Sequence, residues 1–138
     1  MVATVASQLV PQVLKEYGQA TREHLGRYLP DAEPRRYLYD LISDYPQRGG
    51  RAMRPSLCIA TARAFGGRME DAIYTAVSIE LLHNAMLIHD DVQDESERRR
   101  GQPALHLLHG VPLAINAGDA LSLRAMRPLI DNERKLGP

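Results

Sequence analysis

Tryptophan is missing from this 138-residue chain, and phenylalanine and cysteine occur once each. With aromatics at 5% of residues, a core must be assembled from Leu, Ile, Val, Ala and Met, side chains that suit helix packed on helix. The single cysteine, Cys58, excludes an internal disulfide and fits a reducing, cytoplasmic compartment. Its apolar surroundings read as those of a buried structural thiol, not a nucleophile. No run approaches the roughly 20 apolar residues of a membrane span. The N-terminus lacks a basic start followed by an apolar block, so no secretory signal is expected. Internal repeats and low-complexity segments are also lacking. Seventeen basic residues balance 17 acidic ones, and no basic face dominates, which argues against a nucleic-acid binder. What remains, 44% hydrophobic and 25% charged, is ordinary for a soluble protein, and the length allows one domain over residues 1–138.

Helical spacing recurs along the chain. Val5 to Tyr28 reads as a long amphipathic helix, with Leu9, Val13, Tyr17, Ala20, His24 and Tyr28 near one face. Pro11 is a candidate for its true start, and Gly18 and Gly26 weaken it. Residues 29–34 form a loop, and Arg35 to Asp44 a short helix expected to end before Pro46. A helix to about Phe65 is closed by Gly66-Gly67. Glu70 and Asp71 open the central helix at the end that favours acids. Gly101-Gln102-Pro103 breaks the chain, and Ala104 to His109 is a short helical piece. Pro112 starts a last helix in which Gly118 signals close packing, Asn116 and Asp119 read as partners of buried polar groups, and Pro128 should kink or end the run. Residues 132–138 read as its polar end. No strand pattern is convincing, so the class is all-α, antiparallel helices joined by short loops.

The densest chemistry lies between Glu80 and Gly101. An apolar helical run delivers Asp90, Asp91 and Asp94 to one end. Asp90 and Asp94 are four apart and lie one above the other, about 6 Å apart at Cβ. Asp91 is turned about 100° away but can lean in. Such oxygens suit a hard cation, and Mg²⁺ prefers one or two carboxylates plus substrate phosphate and water. His83 lies two turns earlier on nearly the same face, about 10 Å along the axis, too far to share one ion but within reach of a second anionic group. Arg98-Arg99-Arg100 follows. Upstream, Gly49-Gly50 permits close ligand approach, and Arg51 and Arg54 can point the same way once a helix begins. Guanidinium forks suit phosphate oxygens. Each feature alone also reads as a solvated charged surface. His106 and His109, with no acid or cysteine at ligand spacing, read as surface or packing histidines.

Together, and in this order, the pieces resemble the N-terminal portion of the trans-prenyl (geranylgeranyl and polyprenyl) diphosphate synthases. They are Gly49-Gly50-Arg51-Ala52-Met53-Arg54-Pro55, Glu80-Leu81-Leu82-His83, Asp90-Asp91-Val92-Gln93-Asp94, Arg99-Arg100-Gly101-Gln102-Pro103 and Asn116-Ala117-Gly118-Asp119. The resemblance spans roughly Pro34 to Leu121. It implies an antiparallel helix bundle of the isoprenoid-synthase type and a prenyltransferase that condenses isopentenyl diphosphate with an allylic prenyl diphosphate. Asp90, Asp91 and Asp94 would bind Mg²⁺ (or Mn²⁺) bridging the allylic diphosphate, which Arg99 would also contact. Arg51, Arg54, His83 and Arg100 would hold the diphosphate of isopentenyl diphosphate. A homodimer is implied as well. Ala85 and Met86, five and four residues before the first aspartate, would help form the pocket floor. With no aromatic plug there, products of C20 or longer are expected.

The sequence departs from that pattern. Arg51 stands where the family usually has Lys, and Ala104 where Thr is common. The family's second aspartate-rich motif, far downstream, is absent, so a fragment or a truncated relative is expected, with exposed apolar helix faces and no activity unless complemented. Two other functions compete. A class I terpene cyclase would use the aspartates but would not need Arg51, Arg54, His83 and Arg100. A non-catalytic partner subunit would suit the chain's length.

Overall fold

The computed structural model describes residues 2–137, with side chains described from Leu9 onward; Met1 and Pro138, the last residue of the expected polar end, lie outside. The main elements are helices α1 (Val2–Leu25), α2 (Asp40–Gln47), α3 (Met53–Ala64), α4 (Met69–Gln93), α5 (Leu105–His109) and α6 (Val111–Leu136). A 3₁₀ turn, Gly26–Tyr28, extends α1, and a π-helical turn, Arg35–Tyr39, leads into α2. Among the described residues no helix is long and apolar enough to cross a membrane.

Helix α4 is the axis of the molecule because it is buried on two sides. Ala72, Ile73 and Ala76 meet Tyr17 and Ile59 in one cluster, joining α4 to α1 and α3. Val77, Leu81, Ala85 and Ile88 meet Tyr45 of α2, Leu105 of α5 and Leu121 of α6 in a second. Two buried sides blur any single apolar stripe along its sequence. Helix α6 turns Ala114, Ala117, Gly118, Leu121 and Ala125 inward, at spacings of three and four that build one face. Small residues there let the backbones approach. A Cβ added at Gly118 would lie 2.3 Å from His89 Nε2, so the close packing expected at this glycine is against α4. Large apolar side chains also stand outward, Leu57 and Phe65 on and beside α3 and Leu123 on α6, in line with exposed helix faces.

Several local expectations change. The buried stripe of α1 is Tyr17, Thr21 and Leu25, continued by Tyr28, and Pro11 lies inside the helix. Pro46 does not end α2, which runs one residue further; a proline in the last turn removes one N–H and leaves little helix beyond it to break. Pro128 does not end α6, which continues to Leu136. Asn116 and Asp119 are exposed, and Asp119 Oδ1 lies 3.4 Å from Nε2 of the half-buried His89 rather than against a fully buried group. The Gly66-Gly67 stop is found: Gly67 N–H donates to Ala62 O at 2.9 Å and Gly66 N–H to Arg63 O at 3.1 Å, the pair of hydrogen bonds that satisfies the last carbonyls of a helix. Cys58 is half-buried, and burial raises its thiol pKa.

The chain also contains an unexpected hairpin. Arg98–Arg99 (β1) pairs antiparallel with Gln102–Pro103 (β2). Arg100 and Gly101 form the turn, with φ of 54° and 79°, both in the left-handed region that a two-residue turn between twisted strands requires.

Candidate diphosphate and metal site

The Gly50–Ala52 loop, the start of α3, the middle of α4 and the hairpin converge on one cavity of about 470 Å³. Arg51, Arg54, His83, Arg99 and Arg100 line it, with Glu80. Five residues singled out from the sequence, 49 positions apart at the extremes, thus share one surface. Arg51 precedes α3 and Arg54 sits in its first turn, so a loop and a helix present the pair. Gly50 makes room for the hairpin: a Cβ there would lie 3.0 Å from Arg100 Nη2.

The arginines are held in different ways. Arg54 is exposed, and its Nη1 donates to His83 Nε2 at 3.2 Å. Arg100 is half-buried, and its Nη1 donates to Tyr45 O at 2.7 Å and to Asn84 Oδ1 at 3.1 Å. Asn84 is oriented in turn by its amide, which donates to Glu80 O at 2.7 Å and Glu80 Oε1 at 3.2 Å. Burial raises the Glu80 carboxyl pKa against the pull of Asn84 and the nearby arginines. Burial likewise lowers the pKa of Arg100.

Asp91 departs from the expected aspartate cluster. It is buried. Tyr45 O–H donates to Asp91 Oδ2, and Arg99 donates from Nε to Oδ1 at 3.0 Å and from Nη2 to the same oxygen. Tyr45 O–H also accepts from Leu105 N–H at 3.2 Å, and burial together with the Asp91 bond pushes its pKa up to about 12. Asp91 therefore does not lean toward its neighbours, because its oxygens are engaged in the core. Asp90 and Asp94 are exposed at the end of α4, where Asp94 N–H still donates to Asp90 O at 2.8 Å and so keeps the helical stacking of the two. Among the described residues no three His, Cys, Asp or Glu side chains are grouped to hold a metal ion. Two outward carboxylates fit Mg²⁺, which completes its shell with phosphate and water; they would not make a full protein cage.

Of the two residues expected at a pocket floor, Ala85 is in the core and Met86 is exposed, one turn before Asp90. Tyr45, Arg48, Glu80 and Asn84 had no assigned role from the sequence. The nearest signal was their place inside or beside the glycine-arginine and Glu80–His83 motifs, which says nothing about contacts.

His83 supplies a pH dependence. Burial first, then Arg54, Arg100 and Arg99, hold its pKa below the usual histidine value and favour the neutral imidazole. An arriving anion reverses the local field and favours the imidazolium. Diphosphate binding should therefore take up a proton, and affinity should rise as pH falls toward the depressed pKa that His83 has in the free protein. Calorimetry in two buffers of different ionisation enthalpy checks this, because His83→Gln should remove the uptake beyond that of diphosphate itself. By the same sign, His83 favours folding above its unfolded-state pKa, and that contribution is lost as pH falls through the depressed folded value.

A model of the polyprenyl synthetase family matches residues 35–136. The chain is 40% identical over 126 residues to a short chain isoprenyl diphosphate synthase of Methanothermobacter thermautotrophicus, covering 89% of this chain and 38% of that protein. A farnesyl diphosphate synthase of Geobacillus stearothermophilus is 36% identical over 94% of this chain and 45% of its own. The crystal structure of a geranylgeranyl pyrophosphate synthetase from Pyrococcus horikoshii superposes with a TM-score of 0.85 at 37% identity, over 91% of this chain and 38% of that one. The chain thus spans less than half the length of these relatives.

Proposed function

The chain belongs to the polyprenyl synthetase family, and from that premise we propose that it handles the two diphosphates of a chain-elongating prenyl transfer, isopentenyl diphosphate and an allylic prenyl diphosphate. The observation that carries this reading is the convergence of Arg51, Arg54, His83, Arg99 and Arg100 on one cavity, with Asp90 and Asp94 outward at the end of the same helix. Arg51, Arg54, His83 and Arg100 hold the diphosphate of isopentenyl diphosphate. Arg99 faces the allylic diphosphate with the part of its guanidinium not given to Asp91. Asp90 and Asp94 hold the divalent ion, Mg²⁺ with Mn²⁺ as substitute. When bound, the ion neutralises the departing diphosphate as the allylic C–O bond breaks. The chain's own part is to fix the two substrates side by side, so that the isopentenyl double bond meets the allylic carbon without a diffusional search. A C–C bond forms, diphosphate leaves the allylic carbon, and a proton leaves the new cation. A cytoplasmic homodimer completes the reading.

The test is incubation of this chain, and of any longer natural form, with Mg²⁺, labelled isopentenyl diphosphate and farnesyl diphosphate, followed by analysis of product length. Labelled products of C20 or longer are expected. Cyclised hydrocarbon without the label would point to a terpene cyclase. Diphosphate binding without turnover in either form would point to a partner subunit. In any form that elongates, Met86→Phe should shorten the dominant product by one or more C5 units, because an aromatic ring one turn before Asp90 narrows the open side of α4; Ala85, in the core, gives no such control.

A further inference from the structure

We propose that Arg48 is a positioning residue of the diphosphate site, a buried clamp that holds the Arg98–Pro103 hairpin so that Arg99 and Arg100 face the cavity. The inference rests on the diphosphate reading above and deepens it. Arg48 caps the C-terminal end of α2, and its side chain is only 3% exposed. Its Nη1 donates to Arg99 O at 3.1 Å and to Pro103 O at 2.9 Å, one carbonyl from each strand of the hairpin. Its Nε lies 2.6 Å from Asp44 Oδ1, and the guanidinium stacks on the Tyr45 ring at 4.6 Å. The guanidinium is thus fixed on the α2 side by a counter-charge and an aromatic face, and on the other side, among the described residues, it grips only the hairpin.

Two paired residues on each side make a ribbon too short to hold itself in place. Something outside must set its position, and the hairpin carries two of the five basic groups that line the cavity. Asp91 fixes the Arg99 side chain and Tyr45 O fixes that of Arg100, but both act on the ends of long, flexible side chains. Arg48 acts on the backbone from which they spring. Arg48 does not line the cavity, so it acts through the other arginines. Lysine cannot replace it. An ammonium has neither the planar face for Tyr45 nor the fork that reaches Asp44 and the hairpin carbonyls together.

The test measures inorganic diphosphate binding to the full chain by calorimetry, beside thermal melting, for wild type, Arg48→Lys, Arg100→Ala and the double variant. Arg48→Lys should bind diphosphate about tenfold more weakly at a temperature where it is fully folded, as when the support of a binding group is loosened. In the Arg100→Ala background the same change should cost much less, since part of what Arg48 positions is already gone. A melting point that falls with unchanged affinity of the folded protein would overturn the proposal, as would an equal loss in both backgrounds. Asp44→Asn, which removes the counter-charge and leaves Arg48 itself in place, should weaken binding in the same direction; unchanged affinity there would also count against it. If wild type itself fails to bind diphosphate, the diphosphate reading falls, which is a different outcome from wild type and Arg48→Lys binding alike.

Discussion

Replacing Asp91 by alanine will lower folding stability by about 3 kcal/mol or more, whereas Asp90→Asn and Asp94→Asn will leave the melting transition nearly unmoved. The three carboxylates lie within five residues of sequence, yet only Asp91 is buried. Its removal strips Arg99 of its counter-charge and Tyr45 of its acceptor at once. Breaking one side of a buried ion pair costs roughly 3–5 kcal/mol. Arg99 retains some contact with solvent, which places the pair near the lower end, while the orphaned buried hydroxyl adds roughly 1–3 kcal/mol. For a chain of this size the melting point should fall on the order of 10 °C. Asp91→Asn, which keeps an acceptor for Tyr45, should lie between. Asp90 and Asp94 make no ion pair among the described residues, and exposed substitutions of this kind stay within about 0.5 kcal/mol. Their loss should appear elsewhere, as abolished Mg²⁺ enhancement of diphosphate binding. Thermal melts with and without Mg²⁺ and diphosphate separate the two classes. Equal destabilisation by all three variants would contradict the burial of Asp91 alone.

Arg54→Ala will weaken diphosphate binding about 10- to 100-fold without a matching loss of stability. A hydrogen bond to a charged group contributes roughly 1.5–3 kcal/mol, which is that range in affinity. Arg54 is the cleanest variant because it is exposed and its only hydrogen bond among the described residues is to His83. The equivalent change at Arg100 is confounded, since Arg100 also bonds Tyr45 O and Asn84. Arg54→Lys should recover part of the affinity, as a point charge without a fork. Arg51→Lys should lose little, because Arg51 is exposed in a loop and a charge in that place suffices. Titration of inorganic diphosphate into each variant, with melting points alongside, decides the matter. An Arg54→Ala chain that binds as wild type does would remove Arg54 from the site.

The apparent motif residues were readable because each carries its own chemical signal. Glycine before arginine, carboxylates four apart and consecutive arginines need no partner to be noticed. Helix α4 was legible from its period, although its two buried sides hide which residues face which neighbour. The hairpin was not legible, since two-residue strands cannot display an alternation. The roles of Tyr45 and Arg48 were hidden for another reason. Tyr45 meets Asp91 across 46 positions, and Arg48 meets Pro103 across 55, and no local pattern encodes a contact at that range.

The sequence by itself determined an all-α bundle, the order of its helices and a set of basic and acidic groups suited to phosphate and metal, because these follow from periodicity, turn chemistry and side-chain type. Tertiary structure alone decided which groups work together. It buried Asp91 and left Asp90 and Asp94 in solvent, put Ala85 in the core and Met86 outside, and seated a two-residue hairpin on Arg48. Burial and long-range hydrogen bonding depend on which surfaces meet, and that is settled only when the helices pack.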